Sequence, residues 1–158
     1  ACHRASAEGN HVLTAQSCLD RIRPRLKLPL IAAPMFLVSG VDLVVAACLE
    51  GVIGAFPTAN CRNAAQLDEW LRAMSSTLAN AQSKTGQRAA PVCANLIVHK
   101  SNPRLDEDLT VLCRHKPEMV ITSVGSPAAA TLNSRAASCP RSCGGTGRAA
   151  AGAESLPR

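Results

Sequence analysis

Residues 28–57 read LPLIAAPMFLVSGVDLVVAACLEGVIGAFP, and their order decides the fold. The opening run at 28–35, LPLIAAPM, reads as a strand buried on both faces. Ser39 is placed to cap a helix, with Asp42 returning the bond. VDLVVAACLE at 41–50 then reads as a short apolar helix, and Gly51 stands where helices end. VIGAFP at 52–57 is a second buried strand. A strand, a helix and another strand in this order call for a parallel pair with the helix packed over it.

Outward from that unit the alternation continues. Asn63 and Gln66 form a second capping pattern, and Leu67, Trp70, Leu71, Met74 and Leu78 share one face of a longer helix. Residues 81–90 read as a polar connection. PVCANLIV at 91–98 is a third strand. Asn102 before Pro103 suits a helix cap and first-turn proline. Asp106, Glu107 and Asp108 follow, where the helix dipole favours negative charge. Leu109, Leu112 and Cys113 give that helix its apolar face, and Pro117 stops it. EMVITSV at 118–124 is a fourth strand, after which Ser126 and Pro127 start a fourth helix. The fold class is therefore α/β, with about four βα units of parallel sheet.

The two ends break the pattern. Residues 1–21 read as an irregular extension, and residues 131–158 as a disordered basic tail rich in Ala, Gly, Ser and Arg. The tail reads either as a flexible extension or as sequence foreign to the gene, such as an out-of-frame product. The whole net charge of +6 belongs to these ends, because residues 28–130 carry as many acidic as basic residues. That distribution argues against nucleic acid as a partner, as does the scarcity of aromatics: one Trp, two Phe and no Tyr. No apolar run approaches the roughly 20 residues of a membrane span. The eight cysteines contain no C-x-x-C pair. Cys48, Cys93 and Cys113 lie within apolar runs, as reduced thiols of a cytoplasmic protein do. Cys113 and His115 make a weak metal pair without further partners, so no metal site is expected.

In a parallel sheet, ligands sit beyond the carboxyl ends of the strands. Strand 1 ends in Ala32-Ala33-Pro34-Met35. Its small side chains let a flat ring approach the backbone, and Pro34 and Met35 add apolar contact without competing donors. The ledge suits a planar aromatic cofactor. Asn95 interrupts an apolar strand, and a buried amide is costly unless paired. It reads as a structural hydrogen bond or as a contact to a heteroaromatic ring. Period two places Cys93, Asn95, Ile97 and His99 on one face. His99 reads as a base, a phosphate contact or a capping residue, and Ser123 closes the fourth strand. No G-x-G-x-x-G or P-loop follows any strand.

PLIAAPMFLVSG, GVIGAFPTAN, NLIVHKSNPRLDEDL and EMVITSVGSP resemble the nitronate monooxygenase family, formerly called 2-nitropropane dioxygenases. The resemblance covers about residues 22–130. It implies a TIM (β/α)8 barrel that holds FMN without a covalent bond and oxidises alkyl nitronates with O2. Related flavoproteins of the superfamily reduce enoyl thioesters. By motif, Ala33, Pro34 and Met35 match the family's first-strand turn against the flavin ring, and Asn95 matches its strand-3 flavin contact. Ser123 falls in a matching motif and is carried as a cofactor-binding position. No catalytic residue transfers, because the family's histidine base and its Gly-rich phosphate loops come after the fourth strand. A full barrel has eight strands in about 250 residues. Residues 22–130 therefore read as the N-terminal half of such a domain, a partial barrel whose flavin binding alone is weak or absent. Its open edges are expected to favour self-association. A non-catalytic half-barrel module is the competing expectation.

Overall fold

The structure, a computed structural model, describes residues 18–125. The expectations for the first 17 residues, for the helix starting at Ser126 and for the tail lie outside the described residues. Helix α1 (Cys18–Ile22) and a 3-10 turn (Arg23–Arg25) lead into strand β1 (Ile31–Ala32). Then follow α2 (Val41–Leu49), β2 (Ile53–Pro57), a 3-10 turn (Thr58–Asn60) and α3 (Ala64–Thr85). Strand β3 (Val92–Ile97), α4 (Leu105–His115) and β4 (Met119–Ser123) complete the order. The helix α1 lies across the boundary read between residues 21 and 22.

All pairings are parallel, in the order β1-β2-β3-β4. Each new strand joins on the same side of the last. A doubly wound sheet reverses that direction at a switch point, whereas a barrel does not. The two faces of the sheet differ. Phe56, Ala94, Leu96 and Val98 pack under Val44, Cys48, Leu67, Leu71, Met74, Val111 and Leu112 of the helices. On the opposite face Ile53, Ala55, Cys93 and Met119 form a second cluster, closed at the amino ends of the strands by Ile22. Gly54 lets α2 sit close on β2: a Cβ there would lie 2.4 Å from the Val44 carbonyl oxygen.

Local chemistry accounts for the element ends. The Asn63 side chain accepts the Gln66 N–H at 2.8 Å and caps α3. Gln66 returns its bond one residue early, to Arg62 N–H at 2.7 Å. Leu67, Leu71 and Met74 are buried on the expected face, and Phe56 meets Trp70 with ring centroids 6.0 Å apart.

Several boundaries differ from the sequence reading. Helix α3 runs on to Thr85 and stops at left-handed Gly86, so most of the expected polar connection is helix. Its polar residues face water on the outer side of a helix already held by its apolar stripe. Asn102 does not cap α4, whose N-cap is Arg104. Asn102 instead closes the end of β3, donating to Ile97 O at 2.9 Å and accepting from Arg104 N–H at 3.1 Å. Val111 rather than Cys113 is buried beside Leu112 on α4.

Strand β1 departs furthest. Only two residues pair, and Ile31 is 43% exposed, with Leu28 and Leu30 more so. Pro29 and Pro34 have no N–H to donate to a ladder. Among the described residues β1 also has a neighbour on one side only. Burial on both faces is therefore corrected to an exposed edge.

Candidate functional site

The carboxyl ends of the strands carry the expected site. Ala32 pairs with Gly54, Pro57 with Asn95, Asn95 with Ile121, and Ile97 with Ser123. Ala33 to Met35 leave β1 past the Gly54 level, as Ala55 to Pro57 do on β2. The ledge and Asn95 thus belong to the same end of the sheet, two strands or about 10 Å apart. Ser123 closes β4 at that end too.

The ledge is built by polar side chains beneath it. Ser39 does not cap α2, whose N-cap is Gly40 without a side-chain bond. Its hydroxyl turns back, accepting Met35 N–H at 2.9 Å and donating to Ala33 O at 3.2 Å. Asn60, at the end of the turn after β2, accepts Leu37 N–H at 2.9 Å. The same side chain donates to Met35 O at 3.1 Å and to Ser39 O at 3.0 Å. Leu37 is held at φ +62° and is 80% exposed. Phe36 and Val38 beside it are exposed as well. Non-glycine residues in the left-handed region persist only where surroundings over-determine them, and they gather at functional sites. Among the described residues two others share this conformation: Val124, just past Ser123, at φ +57°, and Lys116, the C-cap of α4, at φ +50°.

Asn95 lies on the face that the helices do not cover. Its amide oxygen is buried, and no group among the described residues donates to it. Its ladder neighbours, Pro57 and Ile121, offer no side-chain donor. The structural reading of Asn95, a satisfied amide bonded to an adjacent strand, is not what the structure shows.

His99 is corrected. Strand β3 ends at Ile97, and His99 lies in the turn beyond it. Its Nδ1 sits 2.7 Å from Ser101 Oγ and accepts Ser101 N–H at 3.2 Å, so that nitrogen is used within its own turn. His115 is no partner for Cys113: its Nε2 lies 2.7 Å from the Asp68 carboxylate on α3.

Two hollows, of about 270 and 660 Å³, open at the amino ends of the strands. They are lined by residues such as Arg25, Arg88, Ala89 and Ala90. Ala33, Pro34, Met35, Asn95 and Ser123 line neither. In barrels the amino ends carry stability rather than chemistry. Arg25 fits that role, bridging Glu118 at 2.5 Å and Ala89 O at 2.7 Å. The four strands form an open sheet, and Ala33, Pro34, Met35, Asn95 and Ser123 stand at its carboxyl end, opposite these hollows.

A flavin ring would fit what is present: Asn95 offers a buried acceptor that a ring N–H would satisfy, and the Ala33-Pro34-Met35 ledge is poor in free donors and braced by Ser39 and Asn60. Sequence reasoning missed Asn60 and mistook Ser39. Asn60 stands at the carboxyl end of β2, where a search of strand ends has the means to find it. Its bonds to residues 21 to 25 positions away have no local signature.

No protein-family model and no curated protein matches the chain. Among solved structures it is similar to FabK from Thermotoga maritima, with a TM-score of 0.56 at 16% identity. That match covers 78% of this chain and 35% of FabK. A mutant of the same FabK matches with a TM-score of 0.55 at 17% identity, over 75% of this chain and 35% of that one. The chain spans about a third of the length of the structures it matches. The likeness shows the fold: the described residues are about four βα units of a TIM barrel.

Proposed function

We propose that these strands form the first part of the mouth of a flavin-binding barrel, and that the protein is an FMN-dependent oxidoreductase of the nitronate-oxidising kind. The observation that carries this reading is the buried, unpartnered amide oxygen of Asn95, at the same end of the sheet as the Ala33–Met35 ledge. A buried acceptor without a donor calls for an explanation, and a ligand that supplies the donor is the one that its place at the carboxyl end of β3 favours. When bound, the flavin supplies the redox chemistry between an alkyl nitronate and O2. The chain's own residues do simpler work. Asn95 accepts from the ring, Ala33 and Pro34 let it approach the backbone, and Met35 gives it apolar contact. Ser123 borders the mouth from β4. The same ledge would serve an enoyl-thioester reductase, so activity is assayed with both an alkyl nitronate and an enoyl thioester.

The binding experiment uses the purified full chain, titrated with lumiflavin and with FMN. The reading expects weak, saturable ring binding that Asn95→Leu abolishes. It also expects FMN to bind no more tightly than lumiflavin, because none of the loops among the described residues is Gly-rich enough to cradle the phosphate. Lumiflavin binding unchanged in Asn95→Leu overturns the assignment of Asn95.

The edges favour a second property, association of copies. Leu28, Leu30 and Ile31 are exposed along β1, and Val124 is 65% exposed beyond β4. Paired edges would bury these groups. Light scattering across a concentration series tests it, and a monomer at all concentrations refutes it.

A further inference from the structure

Asn60 spends every hydrogen-bonding group of its carboxamide on one neighbouring loop. Its oxygen takes Leu37 N–H, and its nitrogen bridges the carbonyls of Met35 and Ser39. The reach is from the end of β2 to the loop after β1. Ser39 braces the same loop from within, between Met35 N–H and Ala33 O. The held shape is not one the loop's own residues prefer. Leu37 sits at positive φ, and Met35, Phe36, Leu37 and Val38 all remain exposed. A loop free to relax would return Leu37 to negative φ and turn its apolar side chains inward.

We propose that Asn60 is a positioning residue, which holds the ledge from Ala33 to Val38 in the shape that receives the flat ring. This rests on the flavin reading above. Asn60 need not touch the ring. It acts through the backbone of Met35 and Leu37, whose groups it fixes.

The test uses the full chain, wild type and two variants, with lumiflavin as probe. In Asn60→Ala the Leu37 amide loses its acceptor. Its hydrogen exchange is expected to rise at least about tenfold, while Phe56 and Leu96 amides in the sheet stay as in wild type. Lumiflavin affinity is expected to weaken by about tenfold, the effect of losing an ordered contact surface. Asn60→Asp separates the two halves of the clamp. Its carboxylate still accepts Leu37 N–H, so that amide stays protected, but it sets oxygens against the carbonyls of Met35 and Ser39. At pH 7 it should bind lumiflavin as poorly as Asn60→Ala. Lowering the pH to about 4, near the ordinary aspartate value of about 3.9, adds to about half of the molecules a proton that can be donated to one carbonyl, and affinity recovers in part; wild type shows no such recovery.

Unchanged Leu37 exchange in Asn60→Ala overturns the proposal. So does unchanged lumiflavin affinity in that variant beside a wild type that binds. A wild type with no lumiflavin response at all instead sinks the flavin reading itself, and the positioning role falls with it.

Discussion

Replacing Asn95 by leucine should make this protein more stable. The buried amide oxygen has no donor, and leaving such a group unsatisfied costs about 1–3 kcal/mol. Leucine has nearly the same size and no polar atom. Asn95 is half-buried, so leucine also recovers roughly half of a full side-chain burial, about 1 kcal/mol. Its neighbours across the ladder, Pro57 and Ile121, are apolar and accept it. Some of the gain is lost to imperfect packing, which leaves a net stabilisation of about 2 kcal/mol. With a urea slope of about 1.5 kcal/mol/M for a domain of this size, the midpoint should rise by about 1 M. The assay is urea unfolding of wild type and Asn95→Leu in parallel, followed by far-UV circular dichroism. Asn95→Ala serves as the cavity control, losing the oxygen and leaving a gap. A midpoint that falls in Asn95→Leu refutes the reasoning. It would mean that the amide is satisfied in the folded protein, and the flavin reading would lose the observation that carries it. Stability gained together with ring binding lost is the signature of a residue kept for function.

Gly54→Ala should destabilise by about 2–3 kcal/mol, because the new Cβ meets the Val44 backbone carbonyl and forces α2 off the sheet; the same urea assay reads it. Asp68 is held below its ordinary value of 3.8, first by the hydrogen bond from His115, with Arg72 and Arg114 adding to it. Its contribution to stability is therefore present above pH 3.8 and lost as pH falls through the lower folded value. Asp68→Asn should show a shallower acid loss than wild type in unfolding curves taken between pH 5 and 3. Burial pushes the Cys93 thiol up to about 12 and the Cys61 thiol up to about 11, and raises Cys48. A thiol reagent at pH 8 should reach these three only on unfolding, and Cys113 in the native protein, as peptide mass mapping would show. The raised thiols also mean that stability falls as pH climbs above 9.0, where unfolded thiols ionise and these do not.

The parallel α/β arrangement was written in local pattern. Val44, Val45 and Cys48 of α2 and Leu67, Leu71 and Met74 of α3 recur at helical spacing, and VIGAFP and PVCANLIV are continuous apolar runs. Burial of those faces is the driving force, so the residue types alone fixed the alternation of strands and helices. Ala33-Pro34-Met35 and Asn95 were legible for the same reason, as departures from an apolar strand at its carboxyl end. Other features depended on partners distant in sequence. Pro29 and Pro34 beside Ile31 limit its ladder, but nothing local says that the strand stays exposed, since exposure at an edge depends on which strands stand beside it. Ser39 looked like a helix cap because capping is a local rule, yet its hydroxyl found Met35 N–H and Ala33 O instead. Asn60 reads as one more polar turn residue until the fold brings the β1 loop to it. Whether an amide is satisfied, as at Asn60, or left wanting, as at Asn95, depends on what the folded chain sets within 3 Å of it, and that is decided by tertiary structure.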